Sequence, residues 1–233
     1  MTYEEVLSCL FAERDEGYRD FHKKLLKNDK IEVIGVRMPV LRRLARAWKG
    51  ELAGFLSFPD EYYEVTFLKF SLYALLPFAP FCEGLPQMVG LFDNWATVDG
   101  FHAPCIAKNR DAFLPYIRTF SHDGREFVER YALVSLLHDY VEEKYLPEIF
   151  AALETADGSR YYTGMGAAWL LAEVLVKCYD AGLAYLKEGR LLPFVHNMAI
   201  RKASESFRLT KEQKEELKSF KKATNDGKFS KKG

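Results

Sequence analysis

The run over 126–140, Glu126-Phe127-Val128-Glu129-Arg130-Tyr131-Ala132-Leu133-Val134-Ser135-Leu136-Leu137-His138-Asp139-Tyr140, decides how the chain is read. Val128, Tyr131, Ala132, Val134, Ser135, Leu136 and Tyr140 recur at helical spacing rather than at every second position, so the stretch is predicted to be an α-helix. Most of the sequence repeats that spacing. No pair of β-branched, alternating runs is joined by an Asn-Gly or Asp-Gly turn, and the Asp-Gly pairs at 99, 123, 157 and 226 adjoin helix-like segments instead. The expected fold class is all-α.

Working outward, turn residues near Asn28 and Asp29, Gly50, Ser57 to Asp60, Phe78 to Gly84, Asp93 and Asn94, Asn109, Gly124, Gly158 and Gly189 cut the chain into about a dozen short helices. They fall into pairs. Thr2 with Glu5 and Thr210 with Gln213 have the spacing of capping boxes and mark the first and last helices. Strings of helix pairs suggest an α-solenoid of antiparallel pairs, each covering its neighbour's apolar face and leaving one concave groove. The repeat domain is expected over residues 1–222, followed by a basic flexible tail over 223–233. No fixed-period repeat signature can be written over the sequence, which leaves an irregular helical bundle as the alternative.

With 48% hydrophobic against 28% charged residues, the 233-residue chain can bury an ample core, which excludes disorder. Lys plus Arg and Asp plus Glu each number 33, so a globally basic nucleic-acid binder is excluded and only local patches remain. Residues 31–50 hold Arg37, Arg42, Arg43, Arg46 and Lys49 against Glu32 alone, and residues 211–233 are also basic, which leaves the rest mildly acidic. Cys9, Cys82, Cys105 and Cys178 show no metal-ligand spacing, as expected of reduced thiols in a cytoplasmic protein without a zinc site. The acidic N-terminus is unlike an export signal, and the longest apolar run, residues 72–81, holds two prolines and is too short for a bilayer. No membrane association is expected, and the protein is expected to act as a monomer.

Phosphate-cradling, dinucleotide-binding and metalloprotease motifs are missing, and Gly164-Met165-Gly166 is read as close helix packing. The segment that departs from a plain core pattern is Asn94-Trp95-Ala96-Thr97-Val98-Asp99-Gly100. Behind an Asp93 or Asn94 N-cap, Trp95 and Asp99 share one helical face, and a carboxylate beside an indole suits the stabilisation of a positive charge. An aspartate before a glycine can also simply end a helix. Arg130 follows Asp99 by 31 residues and Trp169 follows Arg130 by 39, each close to one repeat unit, which would bring the four side chains to one cleft.

These residues resemble the AlkD-like family of DNA alkylation-repair glycosylases, which are built from HEAT-like helical repeats. The resemblance is carried by Ile34-Gly35-Val36-Arg37-Met38-Pro39-Val40-Leu41-Arg42-Arg43-Leu44-Ala45 and by Asn94-Trp95 with Val98-Asp99 and Ala103-Pro104. Asn197, Ile200-Arg201-Lys202-Ala203 and Ser206-Phe207-Arg208 extend it, so that it covers roughly residues 3–220. It implies hydrolysis of the N-glycosidic bond of purines alkylated at N3 or N7 in double-stranded DNA, without metal or cofactor and without full extrusion of the base. Asp99 would meet the oxocarbenium-like sugar, Trp95 and Trp169 would flank it, and Arg130, or Arg125 in its place, would hold a phosphate. Because the chain is neutral, duplex affinity must come from localised cations: Arg37, Arg42, Arg43, Arg46, Lys108 and Arg110, with Arg201, Lys202 and Arg208. A non-catalytic helical-repeat module binding nucleic acid or protein is the alternative.

Overall fold

A computed structural model describes residues 1–223, so all but the first residue of the expected basic tail lies outside the described residues. Those residues form fifteen α-helices, one 3-10 turn at Glu143–Tyr145 and no strand, with a single isolated bridge between Glu32 and Tyr62. The chain packs as two compact units, one spanning Met1–Asn109 and the other starting at Arg110.

In the first unit the helices are α1 (Tyr3–Ala12), α2 (Glu16–Leu26), α3 (Met38–Ala47), α4 (Leu52–Ser57), α5 (Tyr63–Tyr73), α6 (Phe78–Val89), α7 (Trp95–Gly100) and α8 (Pro104–Lys108). The predicted capping box starts α1: Glu5 N–H donates to Thr2 Oγ1 at 3.2 Å and Thr2 N–H to Glu5 Oε2 at 2.8 Å. At the centre lies α5, every residue of which except Ser71 is buried, and α3, α4 and α7 pack on it. Seven of its eleven residues are apolar, on all sides of the helix. Its buried Glu64 accepts from the backbone N–H groups of Ile34, Gly35 and Val36 at 2.9, 2.7 and 3.1 Å, which fixes the loop entering α3. Burial raises the Glu64 carboxyl above its ordinary range against the pull of those bonds. Gly35 has φ of +100°, and a Cβ there would stand 2.5 Å from the Asp15 carbonyl oxygen and 2.6 Å from Arg19 Cβ. Only glycine fits this turn.

The second unit holds α9 (Arg110–Ser121), α10 (Glu126–Asp139), α11 (Leu146–Thr155), α12 (Tyr161–Lys177), α13 (Tyr179–Glu188), α14 (Pro193–Ser204) and α15 (Lys211–Ser219). Arg110, opening α9, donates from Nη1 to the Asp139 carbonyl at 3.2 Å, and Tyr140 donates its hydroxyl to the Arg110 carbonyl at 2.8 Å. The start of α9 therefore meets the end of α10, and the two helices are antiparallel. Three helices, α10, α12 and α14, lie side by side in one layer. They run the same way, because Tyr162 N–H donates to Glu126 Oε1 at 2.7 Å and a Cβ on Gly164 would stand 3.2 Å from the Phe194 ring, joining start to start. Along a second layer, Arg118 of α9 pairs with Glu148 of α11, and Phe150 of α11 stacks on Tyr185 of α13 at 4.3 Å. Such contacts join residues 30 to 37 apart, as Arg118 with Glu148 and Tyr179 with Glu216 do. That is about one helix pair, so the predicted solenoid of paired helices accounts for this unit. Gly164 packs as close to α14 as the sequence suggested.

Two buried histidines are expected to make the fold acid-sensitive. His22 is wedged between the rings of Tyr18 and Tyr63, at 5.4 and 4.6 Å, and its buried Nε2 makes no hydrogen bond. His196 is buried with Nε2 2.8 Å from the Phe220 carbonyl. Burial lowers both from the ordinary 6.5. Below pH 6.5 the unfolded chain takes up protons that the fold excludes, so each histidine contributes stability that is complete above that pH. That stability is lost by up to roughly 1.4 kcal/mol per pH unit as the pH falls towards the lowered values. Urea melts at pH 7.5 and 5.5 should show the loss, and His22→Leu, of similar volume and without a ring nitrogen, should shrink it. An equal loss in that variant would clear His22 of the effect.

Candidate functional site

Helix α7 carries Trp95 and Asp99, and its position is tightly specified. Asn94, rather than Asp93, is the N-cap: its Oδ1 accepts from Thr97 N–H at 2.9 Å. Its buried amide also donates to Asp93 Oδ1 at 2.6 Å and Thr97 Oγ1 at 2.9 Å. Thr97 and Val98 face the core, and Phe101 at the helix end enters an aromatic cluster with Phe70, Phe81 and Phe92. A Cβ on Gly100 would lie 2.8 Å from the Phe67 ring, so this glycine lets α7 rest directly on α5. With Thr97, Val98 and Phe101 turned inward, Trp95 and Asp99 are left half-buried one turn apart on the outer face.

A second clamp comes from the end of α2. Trp95 Nε1 donates to the Leu25 carbonyl at 3.4 Å, and the Asn28 side-chain amide donates to the Asp93 carbonyl at 3.3 Å and to Asp93 Oδ2 at 3.0 Å. Desolvation raises the Asp93 carboxyl above its usual range, opposed by the amides of Asn94 and Asn28. The chain reaches Asn28 through Lys27, which closes α2 in the left-handed region at φ 52°, ψ 34°.

The cations of the first unit divide into tied and untied groups. Arg37 donates from Nε to Asp15 Oδ2 at 2.9 Å and lies over the Tyr18 ring at 5.2 Å, while Arg43 pairs with Glu13 at 2.6 Å. Arg42, Arg46 and Lys108 are exposed and form no ion pair among the described residues. The sequence reading passed over a further group, Lys23, Lys24, Lys27 and Lys30, which stands in the chain with Asp29 as its only acid. Its signal was that local run; the Asn28–Asp93 and Trp95–Leu25 bonds place it beside α7.

In the second unit Arg130 is only 6% exposed and donates from Nη1 to the Tyr162 carbonyl at 2.7 Å, within the seam of α10 and α12. Arg125 is exposed and holds Asp123 with Nε at 2.5 Å and Nη2 at 2.9 Å. Arg110 pairs with Glu142 at 2.9 Å and stacks over Tyr145 at 5.0 Å. Trp169 is half-buried on α12, with the Lys202 ammonium 6.0 Å from its ring centre. One turn further along α12, both carboxylate oxygens of Glu173 accept from Arg208 Nη2, at 2.9 and 3.0 Å, and Arg201 pairs with Glu205 at 3.3 Å. The structure thus joins Trp95 with Asp99 on one helix. It also joins Trp169 with Lys202, and Arg130 with the helix that carries Trp169.

A cavity of about 400 Å³ in the second unit is lined by Leu153, Glu154, Asp157, Arg190, Leu192 and Val195 among others, and none of the residues singled out above borders it. Among the described residues no three His, Cys, Asp or Glu side chains gather as a metal site requires, and no helix is long and apolar enough to cross a membrane.

A family model described as DNA alkylation repair enzyme matches residues 10–207, a span that includes Trp95, Asp99, Arg130 and Trp169. No curated protein matches the chain.

Proposed function

The chain belongs to the DNA alkylation repair enzyme family, and from that premise we propose that it is a DNA glycosylase that releases purines alkylated at N3 or N7. One observation carries the proposal: Trp95 and Asp99 stand half-exposed one turn apart on one face of α7, opposite the buried Thr97 and Val98.

The chemistry asks little more. In a cationic N3- or N7-alkylpurine the glycosidic bond breaks with its electron pair passing to the base, which leaves neutral, and C1′ becomes an oxocarbenium ion. Asp99 stabilises that cation and takes a proton from the water that adds to C1′, leaving an abasic site. The Trp95 ring presents its electron-rich face to the same charge. Trp169 with Lys202, and the exposed Arg42, Arg46 and Lys108, unpaired among the described residues, supply stacking and phosphate contacts to double-stranded DNA. With a guanidinium nitrogen committed to Tyr162, Arg130 steadies α12 and through it Trp169.

Incubating the protein with methylated duplex DNA at several salt concentrations and identifying the freed bases tests this directly. Release of 3-methyladenine or 7-methylguanine above the uncatalysed rate, falling steeply with salt, is the expected outcome. Salt-sensitive binding without release at any salt concentration would leave a non-catalytic DNA-binding module in its place.

A further inference from the structure

The end of α2 carries groups that the chemistry above leaves unused. Phe21 and Leu25 are four residues apart, hence on one helical face, and are 60% and 40% exposed. Beside them Lys24, Lys27 and Lys30 are exposed and form no ion pair among the described residues, while Lys23 pairs with Glu32 at 3.1 Å. The shelf is not remote from the proposed chemistry: the Leu25 carbonyl receives the Trp95 indole N–H, and Asn28 grips Asp93. Lys27 is also the single non-glycine residue with positive φ among the described residues. Glycine would adopt that conformation without strain, so the turn itself does not require a lysine.

We propose that this end of α2 is a DNA-gripping shelf beside the Trp95–Asp99 helix, in which Phe21 and Leu25 press against deoxyribose and base edges while Lys24, Lys27 and Lys30 meet phosphates. A strand of DNA presents that combination, with apolar sugar faces alternating with regularly spaced anions, and the lysines complement it in charge. The proposal rests on the glycosylase reading for the identity of its ligand.

The test measures binding of the full chain to a fluorescein-labelled duplex containing one tetrahydrofuran abasic-site analogue, across a range of salt concentrations. Lys27→Gly removes a charge while relieving backbone strain. It should melt no lower than the wild type, bind several-fold more weakly, and show a salt slope shallower by about one. The double variant Phe21→Ala, Leu25→Ala should keep its circular dichroism and its salt slope but lose about tenfold in affinity. If wild-type protein binds the duplex and both variants bind it within twofold of wild type, the shelf is refuted and the glycosylase reading stands. Failure of the wild-type protein to bind the duplex even at low salt overturns both. A shelf that instead serves an acidic protein partner would show as this same full retention of DNA binding.

Discussion

Asp99→Asn is expected to slow release of alkylated bases by about a hundredfold to a thousandfold, the range seen when one electrostatic contact to a transition state is removed. The substitution keeps the size and shape of a half-exposed side chain, so helical content should be unchanged. On the proposed mechanism, what disappears is a negative charge facing the sugar cation as it forms. Because that charge also repels phosphates, affinity for unmodified duplex should hold or rise slightly while the single-turnover rate collapses. That split separates a chemical role from a structural one, since a damaged α7 would weaken binding and rate together. A variant retaining its rate to within about threefold would remove Asp99 from the mechanism and the glycosidic step from the first unit.

Glu64→Ala should cost about 3–5 kcal/mol of folding stability in a urea titration, because three buried backbone N–H groups lose their acceptor together. The loss of so many amides outweighs the gain from no longer burying a carboxyl group. Glu64→Gln should fare better: Oε1 serves Gly35 and Val36, so a side-chain oxygen can remain for those two, while an amide nitrogen turned to Ile34 would oppose a donor with a donor. A cost below about 1 kcal/mol for the alanine variant would mean that water reaches the loop and satisfies those groups. The consequence extends to function, since Glu64 fixes the Gly35-Val36-Arg37 turn from which α3 and its arginines depart.

The same turn shows why some of the protein is legible in its sequence and some is not. Periodicity at 126–140, the capping boxes at Thr2 and Thr210 and the short turns are local signals, set by neighbours within a few residues. They specified an all-α chain of short helices, and they put Trp95 and Asp99 on one face of α7 before any packing was known. The family resemblance was carried by particular residues, those of 34–45 and Asn94-Trp95 with Val98-Asp99 and Ala103-Pro104.

Charge behaved differently. Arg37, Arg43 and Arg208 looked equivalent to Arg42 and Arg46 in the sequence, but Asp15, Glu13 and Glu173 pair with the first three from 22, 30 and 35 residues away. Arg130, expected at a phosphate, is held by a backbone carbonyl 32 residues along the chain. Nothing in the sequence links the lysines at the end of α2 to α7; Asn28, bonded to Asp93 65 residues away, and Leu25, bonded to Trp95 70 residues away, do so in the fold. The sequence by itself determined the helices, their caps and the Trp95–Asp99 face, because intervals of three and four residues govern those. Only the tertiary structure decided which cations remain open to a ligand, because a charge is neutralised by whatever the fold brings within a few ångströms, however distant in the chain.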